Sequence, residues 1–329
     1  MKFLLDLNIP ALPQPIQYPH KILLIGSCFT EHISERLSQH KFNLLSNPNG
    51  ILFNPLSVAN SLNSYLDEKI YQKEDLFYLN ELWNSWDHHT RFSDTNQDTA
   101  LATINTAQMA AAEMIKKADW IVITLGSAFQ YYLKENDRPV ANNHRAPSQW
   151  FEKKLLSTDG IVESLASTLN LLKSKNECVK VLFTISPVRH IRDGVVDNNR
   201  SKARLIEAVH QLCDQFSFAH YFPAYEIVID VLRDYRYYDI DLVHPNFAAT
   251  AYVWECFVRS CIETETADMM NDIAELTIAS KHRPRFAETN AHKTFLAKYA
   301  SKAKSLAMEF PFLDLSDMIT YFEQPTKEQ

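Results

Sequence analysis

The chain has 329 residues and a mass of 38.0 kDa, enough for one large domain or a domain with an appendage. Its 46% hydrophobic and 12% aromatic content can fill a sizeable core. A net charge of −7 and a pI near 5.9 argue against a general nucleic-acid binder, which needs a basic face.

From the amino terminus, Asp6 and the prolines at 10, 13 and 15 interrupt any apolar stretch, so the segment does not read as a secretory signal. The first strand is expected at 22–25, in the run Lys21-Ile22-Leu23-Leu24-Ile25, followed by a helix over 30–40. A second strand falls at 42–45, and a helix runs from Asn54-Pro55 to about Leu66, with Asn as cap and Pro at the first position. The segment 76–92 is an aromatic insertion. An alanine-rich helix covers 98–118 and a third strand 120–125. The segment 128–147 reads as a β-hairpin around Asn136-Asp137 and then a loop. A helix at 158–173 after Ser157, a strand at 179–185, a helix at 199–216 and a strand at 219–222 complete the alternation. A last core helix is placed at 247–262, and 263–329 look helical, most clearly over 291–308.

Alternating strands and helices predict an α/β fold, a parallel five-stranded sheet covered on both faces. The expected division is a domain over 1–262 and a helical extension over 263–329. That extension either packs on the core or forms a homodimer. No run of 18 apolar residues occurs, so neither a membrane span nor a membrane partner is expected. The five cysteines (28, 178, 213, 256, 261) are scattered and odd in number. They read as reduced thiols rather than a disulfide framework or a zinc site, which points to a cytoplasmic protein. No metal and no cofactor is called for.

The chemistry concentrates in two segments. Gly26-Ser27-Cys28-Phe29-Thr30 directly follows the first strand, which places Ser27 at a strand's carboxyl end and a helix's amino end. Ligands of open α/β sheets bind there, and free N–H groups at the helix end favour an oxyanion. Far downstream stands Asp241-Leu242-Val243-His244-Pro245. Acyl transfer needs a nucleophile, a base and oxyanion donors. Ser27, His244 and Asp241 can supply nucleophile, base and orienting carboxylate. The bland alternatives are a capping serine and a surface loop.

The order Ser…Asp…His with a short Asp-x-x-His resembles the SGNH or GDSL hydrolase superfamily, and more closely the GSCFA family. The segments that carry the resemblance are 26–30, Asn47-Pro48-Asn49-Gly50-Ile51-Leu52-Phe53-Asn54-Pro55, Ser85-Trp86-Asp87-His88-His89, Thr124-Leu125-Gly126-Ser127-Ala128, Ser186-Pro187-Val188-Arg189-His190 and 241–245. Together they span roughly 20–260. The resemblance implies a three-layer α/β/α, flavodoxin-like fold. It assigns Ser27 as nucleophile, Asp241 and His244 as its partners, and the N–H groups of Ser27 and Gly50 as oxyanion donors. The superfamily pattern Gly-x-Asn-Asp falls on Gly126-Ser127-Ala128-Phe129, and alanine has no side-chain donor. Losing one such donor typically costs about 3–4 kcal/mol of transition-state stabilisation. Asn54, Gln130, Asn143 and His144 are substitutes by loop position, with Asn143 preferred.

Arg189 and His190, with Arg192 and Lys202 nearby, suit a carboxylate or phosphate on the substrate, or else pair with Asp193 or Asp197. Trp86, His88 and His89 stack on a sugar or acyl group, or else form a packed flap. Gly126, His144 and Arg145 complete the expected substrate surface. Cys28 is expected in the core. The resulting expectation is a serine-dependent esterase or deacylase acting on a small-molecule or carbohydrate ester. Its rivals are an O-acyltransferase to a sugar hydroxyl and a binding module for a glycan or acyl ligand without turnover.

Overall fold

The computed structural model describes residues 5–324, apart from the side chain of Asp193. Five parallel strands form the central sheet: β1 (Lys21–Gly26), β2 (Asn43–Ser46), β5 (Trp120–Leu125), β9 (Lys180–Ile185) and β10 (Ala219–Phe222). Their spatial order is β2-β1-β5-β9-β10, the flavodoxin-like order. Register follows the apolar runs, with Leu23 opposite Ile121 and Ile121 opposite Val181.

Successive residues of β1 enter different cores, because side chains alternate across a strand. Ile22 and Leu24 join the cluster that contains Phe29, Val253 and Phe257. Leu23 and Ile25 join the cluster with Val58, Leu165 and Leu205. The first face is covered by α1 (Cys28–Gln39) and α7 (Phe247–Cys261), the second by α2 (Pro55–Leu66), α3 (Gln97–Ile115), α4 (Thr158–Lys175) and α5 (Val195–Gln215). A short α6 (Ala224–Glu226) runs into a π-helical turn over Ile227–Leu232 after β10.

The carboxyl-terminal segment forms α8 (Thr264–Ser280), α9 (Asn290–Glu309) and α10 (Ser316–Glu323). Their apolar stripes, including Ile273, Leu276, Ala303 and Phe322, are buried in the same core as α1 and α7. Thr277 donates to the Gln39 carbonyl and Lys41 pairs with Asp317, which fixes the extension against the end of α1.

Two small sheets add to the expected elements. The aromatic insertion holds a hairpin of β3 (Leu76–Leu79) and β4 (Leu82–Ser85). Its turn residues, Asn80 and Glu81, both have positive φ, +52° and +62°, as a two-residue turn of matching twist requires. The hairpin expected around Asn136-Asp137 is β6 (Phe129–Leu133) with β7 (Arg138–Val140), and β8 (Phe151–Leu155) adds a third strand on the other edge of β6.

Candidate active site

The strand order reverses between β1 and β5, so a crevice opens at their carboxyl ends. Gly26 ends β1 at φ +142°, where a Cβ would stand 2.1 Å from the Thr124 carbonyl oxygen. Glycine is required for β1 and β5 to approach so closely. Ser27 follows as the extended N-cap residue of α1, at φ −69° and ψ 174°. Its side chain makes no capping bond, and its Oγ is buried without a hydrogen-bond partner among the described residues. A capping role therefore does not account for this serine.

The loops around it are stitched by backbone bonds. Leu52 N–H donates to Gly26 O at 2.9 Å, and the N–H groups of Gly126 and Ser127 both donate to Phe53 O, at 2.8 and 2.9 Å. Asn47 Oδ1 accepts the Gly26 N–H at 2.9 Å. A methyl placed on Gly126 would lie 3.2 Å from Ser27 Cβ and 3.4 Å from both His190 Nε2 and Phe53 Cδ1. Ser27, Phe53 and His190 thus converge on Gly126.

Asp241 and His244 form a compact turn in which Leu242 sits at φ +57°. Asp241 Oδ1 accepts the N–H groups of Val243 and His244 at 2.9 and 3.0 Å, and Oδ2 meets His244 Nδ1 at 2.6 Å. These bonds hold the Asp241 carboxyl well down, at about 2, with the His244 side chain the largest contributor. An ionised carboxylate only accepts, so Nδ1 carries the proton and Nε2 is left as an acceptor. The Arg189 N–H donates to Val243 O at 3.2 Å, which ties this turn to the loop after β9.

Asp241, His244, Cys28, Asn54 and His190 line one cleft of about 620 Å³. Ser27 itself is fully buried and absent from the cleft's described lining, though its neighbour Cys28 is part of it, and the hydrogen bond from Ser27 Oγ to His244 is not made in this structure. Cys28 lines the cleft rather than lying in the core as expected. Burial, reinforced by Glu31, raises its thiol, so it is a poor nucleophile.

A family model described as "GSCFA family" matches residues 21–257, and a second, "GSCFA domain protein, C-terminal domain", matches residues 273–328. The chain belongs to the GSCFA family. No curated protein matches it significantly. Among solved structures, it is similar to an acetyl xylan esterase (Est2A) from the rumen bacterium Butyrivibrio proteoclasticus, at 9% identity and a TM-score of 0.36. That match covers 75% of this chain and spans 64% of the esterase's length.

In this GSCFA protein the expected backbone oxyanion donors are engaged elsewhere. Ser27 N–H donates to Thr124 O at 3.0 Å and Gly50 N–H to Asn47 O at 2.7 Å. Gly50, at φ +81°, packs against His89, whose Cβ would be 2.2 Å from an added methyl. Asn143 lines the cleft but is exposed at its rim, and its side-chain oxygen takes the Arg145 N–H at 3.4 Å. Gln130 is buried, its amide nitrogen donating to the carbonyls of Tyr131 and Val140. Asn54 differs from all of these. Its Oδ1 caps α2 by accepting the Ser57 N–H at 2.8 Å, which turns its amide N–H₂ away from the helix, and the residue lines the cleft.

Several expected substrate residues form structure instead. Trp86 is buried and stacks on Phe77 with ring centroids 3.6 Å apart. His88 is 1% exposed, its Nδ1 bonded to Ser85 Oγ at 2.8 Å, and burial lowers it to about 4. His144 is buried with Nε2 2.7 Å from Ser85 O. These residues, with His89 and the exposed Arg145, are absent from the cleft's described lining. The insertion is a packed flap: Trp86 stacks on Phe77 within it, and Ser85 meets one ring nitrogen each of His88 and His144.

Arg189, His190, Arg192 and Lys153 do line the cleft. The Arg189 guanidinium lies 4.6 Å from the Tyr238 ring centroid and 5.3 Å from that of Tyr235. The alternative partner Asp197 pairs with Arg200 at 2.8 Å, and the side chain of Asp193 lies outside what the structure describes. Lys202, expected among these surface cations, is 1% exposed. Its Nζ donates to the carbonyls of Gly126 and Ser186 at 2.7 and 2.6 Å, and burial lowers it to about 7.

Proposed function

We propose that the protein is a serine-dependent esterase or deacylase of an O-acyl substrate, related to the SGNH hydrolases. The observation that supports this reading is the Asp241–His244 pair, at 2.6 Å, lining the same cleft as Cys28, the neighbour of Ser27, whose buried hydroxyl is unengaged. A buried hydroxyl without a partner costs stability, and a role in the reaction is one reason to keep it; Thr30 and Thr184 carry such hydroxyls as well, so the Asp241–His244 pair is what singles out Ser27.

In the first half-reaction His244 Nε2 takes the Ser27 proton as Oγ adds to the ester carbonyl. The Asn54 amide holds the resulting oxyanion at the amino end of α1. The intermediate collapses, the C–O bond to the alcohol breaks, and the imidazolium returns its proton to the leaving oxygen. Water then repeats the sequence on the acyl-enzyme and releases the acid. Asp241 stays ionised and holds the imidazole tautomer. Arg189 and Arg192 favour a substrate with a negative charge near the ester.

The same acyl-enzyme serves an O-acyltransferase, and adding sugar acceptors to the assay separates the two outcomes. A fluorophosphonate probe tests the core of the proposal. Wild-type protein is expected to label and Ser27→Ala to remain unlabelled. Equal labelling of both would remove Ser27 from the mechanism.

A further inference from the structure

Beneath the cleft, one face of α5 carries three buried polar side chains at helical spacing: Asn198, Ser201 and Lys202. Each engages the backbone of a loop that builds the site. Asn198 Oδ1 accepts the His190 N–H at 2.9 Å, and Ser201 Oγ accepts the Ala128 N–H at 2.7 Å. Lys202 Nζ reaches the Gly126 and Ser186 carbonyls. Gly126 follows β5 and Ser186 follows β9, so one ammonium joins the carboxyl ends of neighbouring strands.

Burying a cation without a carboxylate partner is unfavourable, and an apolar residue of the same size would fill the space better. The location suggests what offsets this. Lys202 holds the carbonyl of Gly126, the residue packed directly against Ser27. A fixed charge in so dry a place acts strongly on charge that develops nearby.

We infer that Lys202 is a positioning residue for the Ser27 reaction, its Nζ aligning the β5 and β9 ends near Ser27 and supplying positive charge toward the oxyanion when protonated. The inference rests on the serine esterase reading. Among the described residues, two titratable groups face Lys202. Cys28 comes from α1, and Tyr225 from α6 has its ring centroid 5.9 Å from Nζ. From β5 and β9 it meets the two carbonyls. A negative charge created at Ser27 is shared between Lys202 below and the His244 imidazolium and cleft cations, and the part that reaches Lys202 raises its affinity for a proton.

The test is to titrate the Lys202 ammonium by ¹⁵N NMR, first in the free protein and then with phenylboronic acid bound. The Ser27 oxygen forms a bond to boron, the hydroxyl proton passes to His244, and boron becomes a tetrahedral anion. Lys202 is expected to bind its proton about tenfold more tightly in the adduct, a rise of about one pKa unit. In parallel, Lys202→Met should label with fluorophosphonate at least about 100-fold more slowly than wild type, on the scale of losing one oxyanion donor. An unchanged titration with boron bound, or a folded Lys202→Met that labels at the wild-type rate, overturns the inference alone. Should Lys202→Met fail to fold, the wild-type titration decides. A Ser27 that bonds neither boron nor fluorophosphonate overturns the esterase reading and this inference with it.

Discussion

Asp241 holds His244 twice, accepting its backbone N–H at 3.0 Å through one oxygen and meeting its ring at 2.6 Å through the other. The carboxylate thus fixes both the turn and the tautomer. Asp241→Asn can keep the turn bonds through its carbonyl oxygen, but its amide cannot accept the Nδ1 proton. Ester hydrolysis is expected to fall by about 10³–10⁴-fold with little change in melting temperature, the scale found when such a carboxylate becomes an amide in serine hydrolases. The carboxyl sits near 2 in the folded protein, so its charge persists as the medium is acidified to about that value. Asp241 should therefore add no proton of its own to the acid limb of the wild-type rate profile. A second proton in that limb, seen in kcat/KM against pH for p-nitrophenyl acetate, would contradict this.

Asn54 combines a helix cap and a cleft wall, and substitutions can separate the two. Asn54→Ala removes both, with about 1 kcal/mol of stability lost from the cap and about 10²–10³-fold in kcat from the donor. Asn54→Asp keeps a capping oxygen for the Ser57 N–H but places a negative charge where the oxyanion forms. Its melting temperature should stay near wild type while kcat falls at least as far as in the alanine variant. Full activity in Asn54→Asp would exclude the amide as the donor.

The centre of the sheet is legible in the sequence because its inner strands β1, β5 and β9 are buried on both faces. Runs such as Ile22-Leu23-Leu24-Ile25 need no partner information to be read. β8 is hidden because Phe151-Glu152-Lys153-Lys154-Leu155 has charge at its centre and pairs on the edge of a small, half-exposed sheet. The Ser27 and Asp241–His244 segments are legible as local motifs. The fates of His88 and His144 are not, because they depend on Ser85, which meets both imidazoles only after β4 forms. Lys202 left a signal that composition alone obscures. It stands on the buried stripe of α5, in step with Asn198, Leu205 and Val209, where a solvated lysine would be out of place.

His88 makes the fold acid-sensitive. Burial lowers its folded value to about 4, against about 6.5 for an unfolded histidine. Between these values the unfolded chain binds more protons, so stability rises with pH across the window and is lost progressively as pH falls from about 6.5 to about 4. At pH 5 the loss from this residue is on the order of 2 kcal/mol. His88→Gln should be less stable at pH 7, since the bond to Ser85 is perturbed, yet change less between pH 7 and pH 5 than wild type. Urea midpoints at the two pH values check the difference, and equal slopes for the two proteins would contradict it.

Gly26 and Gly126 flank Ser27 and should respond to alanine in opposite ways. At Gly26 the new methyl would meet the Thr124 carbonyl at 2.1 Å, in a backbone conformation at φ +142°. Neither strand can yield without breaking the β1–β5 pairing, so Gly26→Ala is expected to yield little folded protein. At Gly126 the backbone is unstrained and the nearest atoms, at 3.2 to 3.4 Å, are side-chain atoms of Ser27, His190 and Phe53. These can shift by the few tenths of an ångström needed, so Gly126→Ala should fold with a melting temperature within a few degrees of wild type. The shift falls on the Ser27 side chain, where small misplacements of reacting groups are amplified in rate, by about 10²-fold for 1 Å. Fluorophosphonate labelling should therefore slow by at least about tenfold. Wild-type labelling in a well-folded Gly126→Ala would show that the space against Gly126 is not where Ser27 reacts.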